Sequence, residues 1–186
     1  MLITLTGKPC SGKSTLAGHL VNEHGFIRIG VGDMFKDEAK KRGMSAEEFN
    51  ALCASDPSFD YFLDEKTAMM GKELEGQKYI FDSRLAWHFV PKSFKIYVDV
   101  REDEMVRRLV TSDRTGKERY DDAVEAKRTL LNRRKLERER YKKLYNIDID
   151  DLSNYDLVID TSDEPAEVVA EKVWKAYQEF CKKSKK

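Results

Sequence analysis

Short apolar runs recur along the chain, and stretches with helical spacing of apolar residues separate them. The runs are residues 2–6, 26–29, 78–82, 94–100 and 156–160. Each run is brief and bounded by polar or turn-forming residues, which is typical of a buried strand. Because five such runs alternate with helical segments, the pattern predicts an α/β fold with a mostly parallel five-stranded sheet covered on both faces.

Several helix ends are marked by specific residues. The first helix is predicted to end near His24, because Gly25 is a favourable C-terminal stop. Asp33 follows the second strand and is predicted to cap the next helix. Ser45 and Glu48 have the spacing of a capping box. Further helices are predicted from about residues 56, 102, 121 and 164.

The stretch between the first strand and the first helix carries the strongest chemical signal. Residues 7–14 read Gly-Lys-Pro-Cys-Ser-Gly-Lys-Ser, the Gly-x-x-x-x-Gly-Lys-Ser pattern of a phosphate-binding loop. Gly7 and Gly12 let the backbone turn its N–H groups toward an anion, and the following helix adds the positive end of its dipole. Lys13 is expected to reach the β- and γ-phosphates, and the Ser14 hydroxyl to bind magnesium. The loop therefore predicts a nucleoside triphosphate site.

Composition narrows the class of protein. A chain of 186 residues suits one domain, 1–186. Lys+Arg and Asp+Glu number 34 each, and this zero net charge argues against a nonspecific nucleic-acid binder. Three widely spaced cysteines indicate neither a disulfide framework nor a metal site. No signal peptide is predicted, and no apolar run approaches the ~20 residues that span a bilayer. We expect a cytoplasmic monomer with no nucleic-acid or membrane partner.

Charged residues at strand ends suggest a second substrate. Arg84 lies just past the strand 78–82, where sites form in open α/β sheets, and its guanidinium suits a substrate phosphate. The alternative is that Arg84 forms a salt bridge to Asp82 or is solvated. Asp82 suits a water of a magnesium shell, or it caps the next turn. Asp33 is either a helix cap alone or also part of the site.

The charged helix predicted over residues 121–144 contains another candidate group. Arg133 and Arg140 are seven residues apart and lie about 20° from alignment on one face, with Glu137 between them. Such a stripe suits a phosphate and a ribose hydroxyl, although its spacing alone favours a solvated basic helix. The other basic residues, which we predict to be solvated, are Lys127, Arg128, Arg134, Lys135, Arg138, Lys142 and Lys143.

The segment before this helix is interpreted as a lid. Arg108 and Arg114 flank a predicted break, and they could close over a triphosphate and stabilise transferred charge. We therefore expect residues of about 108–144 to form the lid and the long helix.

Taken together, these residues resemble the nucleoside monophosphate kinases, and more narrowly the short cytidylate kinases of the archaeal type. The motifs that carry the resemblance are Gly32-Asp33-Met34-Phe35, Asp82-Ser83-Arg84-Leu85-Ala86, the spacing of Arg133, Glu137 and Arg140, and the runs 145–152 and 155–162. The resemblance implies a P-loop NTPase three-layer sandwich with acceptor-side helices over about residues 33–76.

The same resemblance implies ATP-dependent phosphoryl transfer, with Mg²⁺, to a nucleoside monophosphate, best CMP or dCMP. The implied ATP-binding residues are Gly7, Lys8, Pro9, Cys10, Ser11, Gly12, Lys13, Ser14 and Thr15. The implied acceptor-binding residues are Asp33, Lys36, Arg84, Arg133, Glu137 and Arg140. The implied catalytic residues are Lys13, Arg108 and Arg114, and the implied metal ligands are Ser14 and, through water, Asp82. Two positions depart from the family pattern, because Lys36 replaces a usual arginine and Ser83 a usual glycine.

Two other functions share the phosphate loop. A kinase for another small acceptor, such as AMP, UMP or a metabolite alcohol, is the first. An alcohol needs a carboxylate base, for which Asp33 is the candidate. The second is a nucleotide-binding switch that transfers nothing, which has no need for acceptor-side arginines.

Overall fold

The computed structural model describes residues 1–45, 48–49, 52–53, 56, 58–111 and 123–184, without the side chains of Ala123, Ala126 and Arg133. The strands, numbered in chain order, are β1 (Leu2–Gly7), β2 (Ile27–Gly30), β3 (Tyr79–Asp82), β4 (Ser93–Asp99) and β5 (Leu157–Asp160). The helices are α1 (Lys13–His24), α2 (Val31–Lys41), α3 (Ser58–Glu73), α4 (Ala86–Phe89), α5 (Glu102–Thr111), α6 (Ala123–Tyr145) and α7 (Ala166–Lys183). All five predicted strands are confirmed.

The strands form one parallel sheet in the order β2-β3-β1-β4-β5. The chain leaves β1 toward one edge and leaves β3 toward the other, so the direction of winding reverses between these two neighbours. Ligands of open α/β sheets bind in the crevice outside the carboxyl ends of the strands at such a reversal. The phosphate loop follows β1, and Asp82 ends β3. The fold therefore places both candidate groups at one crevice.

Helices cover both faces of the sheet, as predicted. On one face, α1 and α7 pack on β1, β3 and β4, for example through Leu20 and Val173, which are fully buried against Ile96. On the other face, α3 and α4 pack on β1 and β3, with Phe81 against Ala86. The central strands β1, β3 and β4 are mostly buried and mostly apolar on both faces, whereas the edge strands β2 and β5 keep exposed side chains.

Two predicted helix signals are confirmed. Gly25 ends α1 with a positive φ of 68°, and its N–H donates to the carbonyls of the last turn. Ser45 Oγ accepts from the Glu48 N–H at 3.1 Å, and Glu48 Oε2 accepts from the Ser45 N–H at 2.7 Å. This reciprocal pair is the predicted capping box.

The cap predicted at Asp33 is wrong. Helix α2 already begins at Val31, with Gly30 at its N-terminal boundary, so Asp33 lies within the first turn. The Asp33 side chain therefore does not cap the helix and instead accepts a hydrogen bond from Arg28.

Other expectations can be compared only over the described residues. The break predicted at residues 112–116, and with it Arg114, lies outside them. The three cysteines are free thiols. No helix in the described ranges is long and apolar enough to cross a membrane.

Candidate active site

The phosphate loop is shaped by unusual backbone angles. Gly7 has a φ of 148°, and a Cβ there would lie 2.0 Å from the carbonyl oxygen of Val98. Only glycine therefore lets the chain leave β1 this close to β4. Cys10 and Gly12 also have positive φ, at 58° and 83°. Positive φ angles in a loop that leads into a helix are typical of a concave backbone whose N–H groups can bind an anion.

The Lys13 ammonium group lies across the mouth of the loop. Its Nζ donates to the Gly7 carbonyl at 3.1 Å and to the Lys8 carbonyl at 2.9 Å. Desolvation, and then repulsion by Arg84, lower the pKa of Lys13 to about 8, and Asp82 opposes this. The loop therefore holds a charged group that gains from the arrival of an anion.

Side chains anchor the loop to the sheet. Lys8 Nζ forms an ion pair with Asp99 at 2.7 Å and donates to the Val100 carbonyl at 3.2 Å. Ser11 is fully buried, and its carbonyl accepts from the Thr161 hydroxyl at 2.9 Å. Both contacts tie the loop to the carboxyl ends of β4 and β5.

Arg108 reaches the loop from α5. Its Nη1 donates to the Cys10 carbonyl at 3.3 Å and to Thr161 Oγ1 at 2.9 Å, while Nε pairs with Glu104 at 2.7 Å. The guanidinium thus lies at the outer side of the loop, within 3.8 Å of where a Gly12 Cβ would be. Its predicted catalytic role stays a prediction.

The two groups predicted to hold magnesium follow or end the neighbouring strands β1 and β3. Ser14 is exposed in the first turn of α1, as is Thr15. Asp82 is aligned with Leu5 of β1 and is 12% exposed. A hydroxyl and a carboxylate are hard oxygen ligands that suit Mg²⁺, so the residues present fit this ion.

Arg28, which the sequence reading treated only as part of β2, holds two of the predicted site carboxylates. Its Nε and Nη2 both donate to Oδ2 of Asp82, at 3.1 and 2.7 Å, and Nη1 donates to Asp33 at 2.9 Å. Both bonds to Asp82 use the same oxygen, which leaves Oδ1 for a water. The available signal was an arginine within an otherwise apolar strand, although Arg28 itself is exposed at the edge of the sheet.

Arg84 meets the long helix α6 above the end of β3. Its Nη1 forms a close ion pair with Oε2 of Glu137, which is 13% exposed. The alternative salt bridge to Asp82 is not formed, since Arg28 takes that partner. The predicted neighbourhood of Arg84 and Glu137 is therefore present.

Arg140 continues the same polar surface toward α3. Its Nη2 lies 3.6 Å from Oδ1 of Asp60 and donates to the Tyr141 hydroxyl at 3.4 Å. One turn further along α3, Asp64 accepts from the Tyr145 hydroxyl at 2.5 Å. Burial raises the pKa of Asp60, and it raises the pKa of Asp64 to about 6. We call this row of side chains on α3 and α6, from Arg84 to Asp64, the acceptor face.

The prediction that Arg134 is solvated is wrong. Its Nη2 donates to the Tyr97 hydroxyl at 2.6 Å and forms a close ion pair with Asp150. Its charge also contributes to lowering the pKa of Lys13. Arg134, Glu137 and Tyr141 are three and four residues apart, so they share the sheet-facing side of α6. The side chain of Arg133 lies outside the described residues.

Two further predicted site residues, Lys36 and Pro9, are not part of the acceptor face. Lys36 is exposed on α2, and Pro9 is half-buried in the loop. Among the described residues, no group of three or more His, Cys, Asp or Glu side chains is arranged to hold a metal ion.

Comparison with known proteins gives the following relatives. A model of the AAA domain family matches residues 3–153. The chain is 35% identical over 182 residues to a cytidylate kinase of Methanocella arvoryzae, covering 98% of this chain and 99% of that protein. It is 37% identical to a cytidylate kinase of Methanothrix thermoacetophila, covering 87% and 88% of the two chains.

Solved structures agree on the fold. A shikimate kinase from Bacteroides thetaiotaomicron matches with a TM-score of 0.61 at 13% identity, covering 94% of this chain and 97% of that one. A protein from Eubacterium ventriosum matches with a TM-score of 0.71 at 13% identity, covering 96% and 98%. At this identity the likeness concerns the P-loop kinase architecture alone.

Proposed function

We propose that this chain, which belongs to the cytidylate kinase family, transfers the γ-phosphoryl group of ATP to CMP or dCMP. The match to the AAA domain family over residues 3–153 agrees with this proposal. One observation carries the two-substrate arrangement. Arg84 and Arg134 approach Lys13 closely enough to lower its pKa. Three cations that converge at a strand-end crevice favour the binding of more than one phosphate group.

The donor half of the reaction belongs to the phosphate loop. Its backbone N–H groups bind the β-phosphate, and Lys13 exchanges its two carbonyl partners for phosphate oxygens. Ser14 would hold Mg²⁺ directly, and Asp82 would do so through a water on Oδ1, the oxygen that Arg28 does not contact. When bound, the ion neutralises charge on the β- and γ-phosphates.

The acceptor half belongs to the acceptor face. Arg84 and Arg140 bind the acceptor phosphate together with Arg133, and Glu137 binds the ribose. Arg140 has a buried Nε without a hydrogen-bond partner among the described residues, which is a spare donor for a phosphate oxygen. Asp33 and Lys36 of α2 complete the proposed contacts at the second strand end.

Phosphoryl transfer between these halves needs positioning more than covalent help. An oxygen of the acceptor phosphate attacks the γ-phosphorus, the bond to the β-phosphate oxygen breaks, and ADP leaves with that electron pair. The attacking oxygen is already ionised, so no base is required. Arg108 and Arg114 are proposed to stabilise the transferred charge while the lid excludes water.

A kinase for an alcohol acceptor is disfavoured by one contact. Such a kinase needs Asp33 as a free base, but Asp33 is held by Arg28 at 2.9 Å. This ion pair engages the carboxylate that such a base would need to keep free for the acceptor hydroxyl.

A panel of acceptors tests the proposal. The purified protein is given ATP and Mg²⁺ with CMP, dCMP, UMP, AMP or shikimate, and ADP formation is measured. We expect the highest kcat/KM with CMP or dCMP. Turnover of another acceptor without CMP or dCMP would contradict the acceptor assignment, and ATP binding without any turnover would favour the switch. Size-exclusion chromatography of the same sample tests the proposed monomer.

A further inference from the structure

The turn that carries Arg84 is joined directly to the strand that leads into the phosphate loop. The Ser83 N–H donates to the Leu5 carbonyl at 3.1 Å, so the pairing with β1 extends one residue beyond the end of β3. The next residue of β1, Thr6, immediately precedes Gly7. The end of β1 therefore leads into the donor loop and also borders the turn with the proposed acceptor arginine.

The Thr6 hydroxyl binds the backbone of this turn. Its Oγ1 donates to the Ser83 carbonyl at 3.0 Å and lies 3.5 Å from the Arg84 carbonyl oxygen. A hydroxyl has one proton to donate, so the shorter contact is the stronger bond. The Thr6 residue is only 3% exposed, and water is therefore a poor substitute for the hydroxyl at this place.

A second buried side chain holds the same turn. Trp87 is 5% exposed, and its Nε1 donates to the Arg84 carbonyl at 3.0 Å. Ser83 Oγ also accepts from the Leu85 N–H at 3.3 Å, which closes the turn on itself. Side chains thus bind backbone atoms of three consecutive residues, with Arg84 in the middle.

This number of contacts matters because of the length of the arginine side chain. Arginine has many rotamers, so its guanidinium is placed accurately only where the backbone beneath it is fixed. A shift of about 1 Å in a group that positions a substrate can lower the rate about 100-fold. The backbone contacts of Arg84 are therefore as relevant to transfer as its own charge.

We propose that Thr6 and Trp87 are positioning residues, which hold the carbonyls of residues 83 and 84 and so fix the distance between the Arg84 guanidinium and the phosphate loop. This inference rests on the proposed function, because Arg84 is assigned there to the acceptor phosphate. Neither Thr6 nor Trp87 touches a substrate in this proposal, and both act through Arg84.

Thr4 provides a matched control on the same strand. It lies two residues before Thr6, so both side chains point to the same face of the sheet, and it is fully buried. Its Oγ1 lies 3.2 Å from Ser93 Oγ, whose own hydroxyl donates to the Val90 carbonyl at 2.7 Å. Thr4 therefore has a comparable buried hydrogen bond that is directed away from the turn of Arg84.

The test measures the KM for CMP at saturating ATP, the kcat, and the dissociation constant for ATP by equilibrium titration. In Thr6→Val, we expect the KM for CMP to rise by about 5- to 30-fold, the usual effect of losing one buried hydrogen bond. ATP affinity should stay within about threefold of the wild type. Thr6→Ser keeps the hydroxyl and should restore the KM to within about threefold. Thr4→Val should lower the melting temperature by a similar amount without changing the KM.

A double-substitution experiment separates positioning from a general structural role. If Thr6 acts through Arg84, then Thr6→Val should change the KM of Arg84→Gln by less than about threefold, because the side chain to be positioned is gone. Two effects on KM that multiply in full would contradict the inference. Trp87→Phe removes the indole N–H, and it should raise the KM for CMP in the same direction and show the same dependence on Arg84.

The other outcomes are also distinct. A wild-type KM for CMP in Thr6→Val overturns the inference and leaves the kinase proposal standing. An equal loss of ATP and CMP affinity overturns it as well, since Thr6 would then support the donor loop. If Thr6→Val does not fold, an unchanged KM in Trp87→Phe overturns the inference instead. A wild type that phosphorylates no nucleotide refutes the proposed function itself, and this inference with it.

Discussion

The two halves of the proposed site are built in different ways. The donor half is a run of consecutive residues, 7–14, whose shape is set by backbone angles at Gly7, Cys10 and Gly12. The acceptor face is assembled from side chains on α3, α6 and the end of β3, which are far apart in the sequence. The first is a local structure with its own geometry, whereas the second exists only after the chain has folded.

The halves also differ in how their polar groups are paired. Lys8 and Lys13 both have short contacts to carbonyl or carboxylate oxygens. Asp60 and Arg140, in contrast, each keep a buried atom without a partner in the described residues. Ser11 Oγ is an exception within the loop. A backbone site is thus pre-formed for its ligand, while a side-chain site waits for the ligand to complete it.

The largest effect is expected from a substitution at Gly7, where the backbone of the donor half lies closest to β4. Gly7→Ala places a Cβ 2.0 Å from the Val98 carbonyl oxygen and imposes a side chain on a positive φ. Because the contact is with backbone, the strands must separate, and we expect a loss of roughly 3 to 5 kcal/mol in unfolding free energy. Urea denaturation and ATP titration measure the two consequences, lower stability and lost binding.

Gly18→Ala is the matched control for this change. A Cβ at Gly18, inside α1, meets nothing within 4 Å. Alanine there should stabilise the helix by up to about 1 kcal/mol, because glycine is a poor helix former. If Gly7→Ala instead matched the wild type in stability, the close approach of the loop to β4 would be wrong.

The next effect removes the charge of the donor half without changing its backbone. In Lys13→Met, no ammonium group remains to bind the transferred phosphate, so we expect kcat to fall by about 10²- to 10³-fold or more. The melting temperature should change little, because burial already disfavours the charged lysine. Steady-state kinetics and a thermal melt check both expectations. Retained turnover would refute the role of Lys13.

The backbone of the phosphate loop could be predicted because its signal is local. The spacing of Gly7, Gly12 and Lys13 is typical of one loop conformation, and the positive φ angles of both glycines agree with it. The strands were also predictable, since parallel strands buried on both faces are continuously apolar. Helix starts were less certain, and Asp33 shows why. A cap and an ion-pair partner have the same sequence signature, and only the position of Arg28 decides between them.

The acceptor face was predictable only in part. The spacing of Arg133, Glu137 and Arg140 pointed to a stretch of α6 in which Glu137 contacts Arg84 and Arg140 contacts Asp60. It did not show which side of the helix faces the sheet. That side is set by the packing of Tyr141, which is 8% exposed, and it turns Arg134 inward. The contribution of Asp60 could not be predicted from spacing at all, because its partner is 80 residues away and the contact depends on how α3 crosses α6.

A smaller effect is expected from a substitution in the acceptor face, which should weaken the binding of CMP but not that of ATP. Arg84→Gln removes a cation that faces the acceptor phosphate, so we expect the KM for CMP to rise by about 10- to 100-fold, the value of a charge-assisted hydrogen bond. The dissociation constant for ATP should change by less than about threefold. Kinetics at saturating ATP and equilibrium ATP titration measure these quantities. Equal losses for both substrates would mean that the halves are not distinct.

Arg138→Gln provides the control on the acceptor side. Arg138 lies on α6 but is 51% exposed and pairs with Asp148 at the surface. Exposed ion pairs contribute little, so both constants should stay near those of the wild type.

The smallest expected effect is the loss of folding stability that results from burying the Asp64 carboxylate in the acceptor face. The pKa of Asp64 is raised to about 6 by burial, above the value of 3.8 that an unperturbed aspartate has. Between these two values the unfolded chain loses its proton first, so stability falls as the pH rises, and the full penalty is present above pH 6. Asp64→Asn stays neutral and can still accept from Tyr145, so its free energy of unfolding should exceed that of the wild type by about 1 kcal/mol at pH 7.5, with the difference shrinking toward zero near pH 4.

Urea denaturation at several pH values measures this difference. The control is Glu65→Gln, an exposed change on the same helix, whose free energy of unfolding should stay within about 0.5 kcal/mol of the wild type throughout. A difference of the same size at pH 4 and pH 7.5 would show that the ionisation of Asp64 does not cause it. In that case the buried carboxylate of the acceptor face would not lower stability, and the two halves would not differ in this respect.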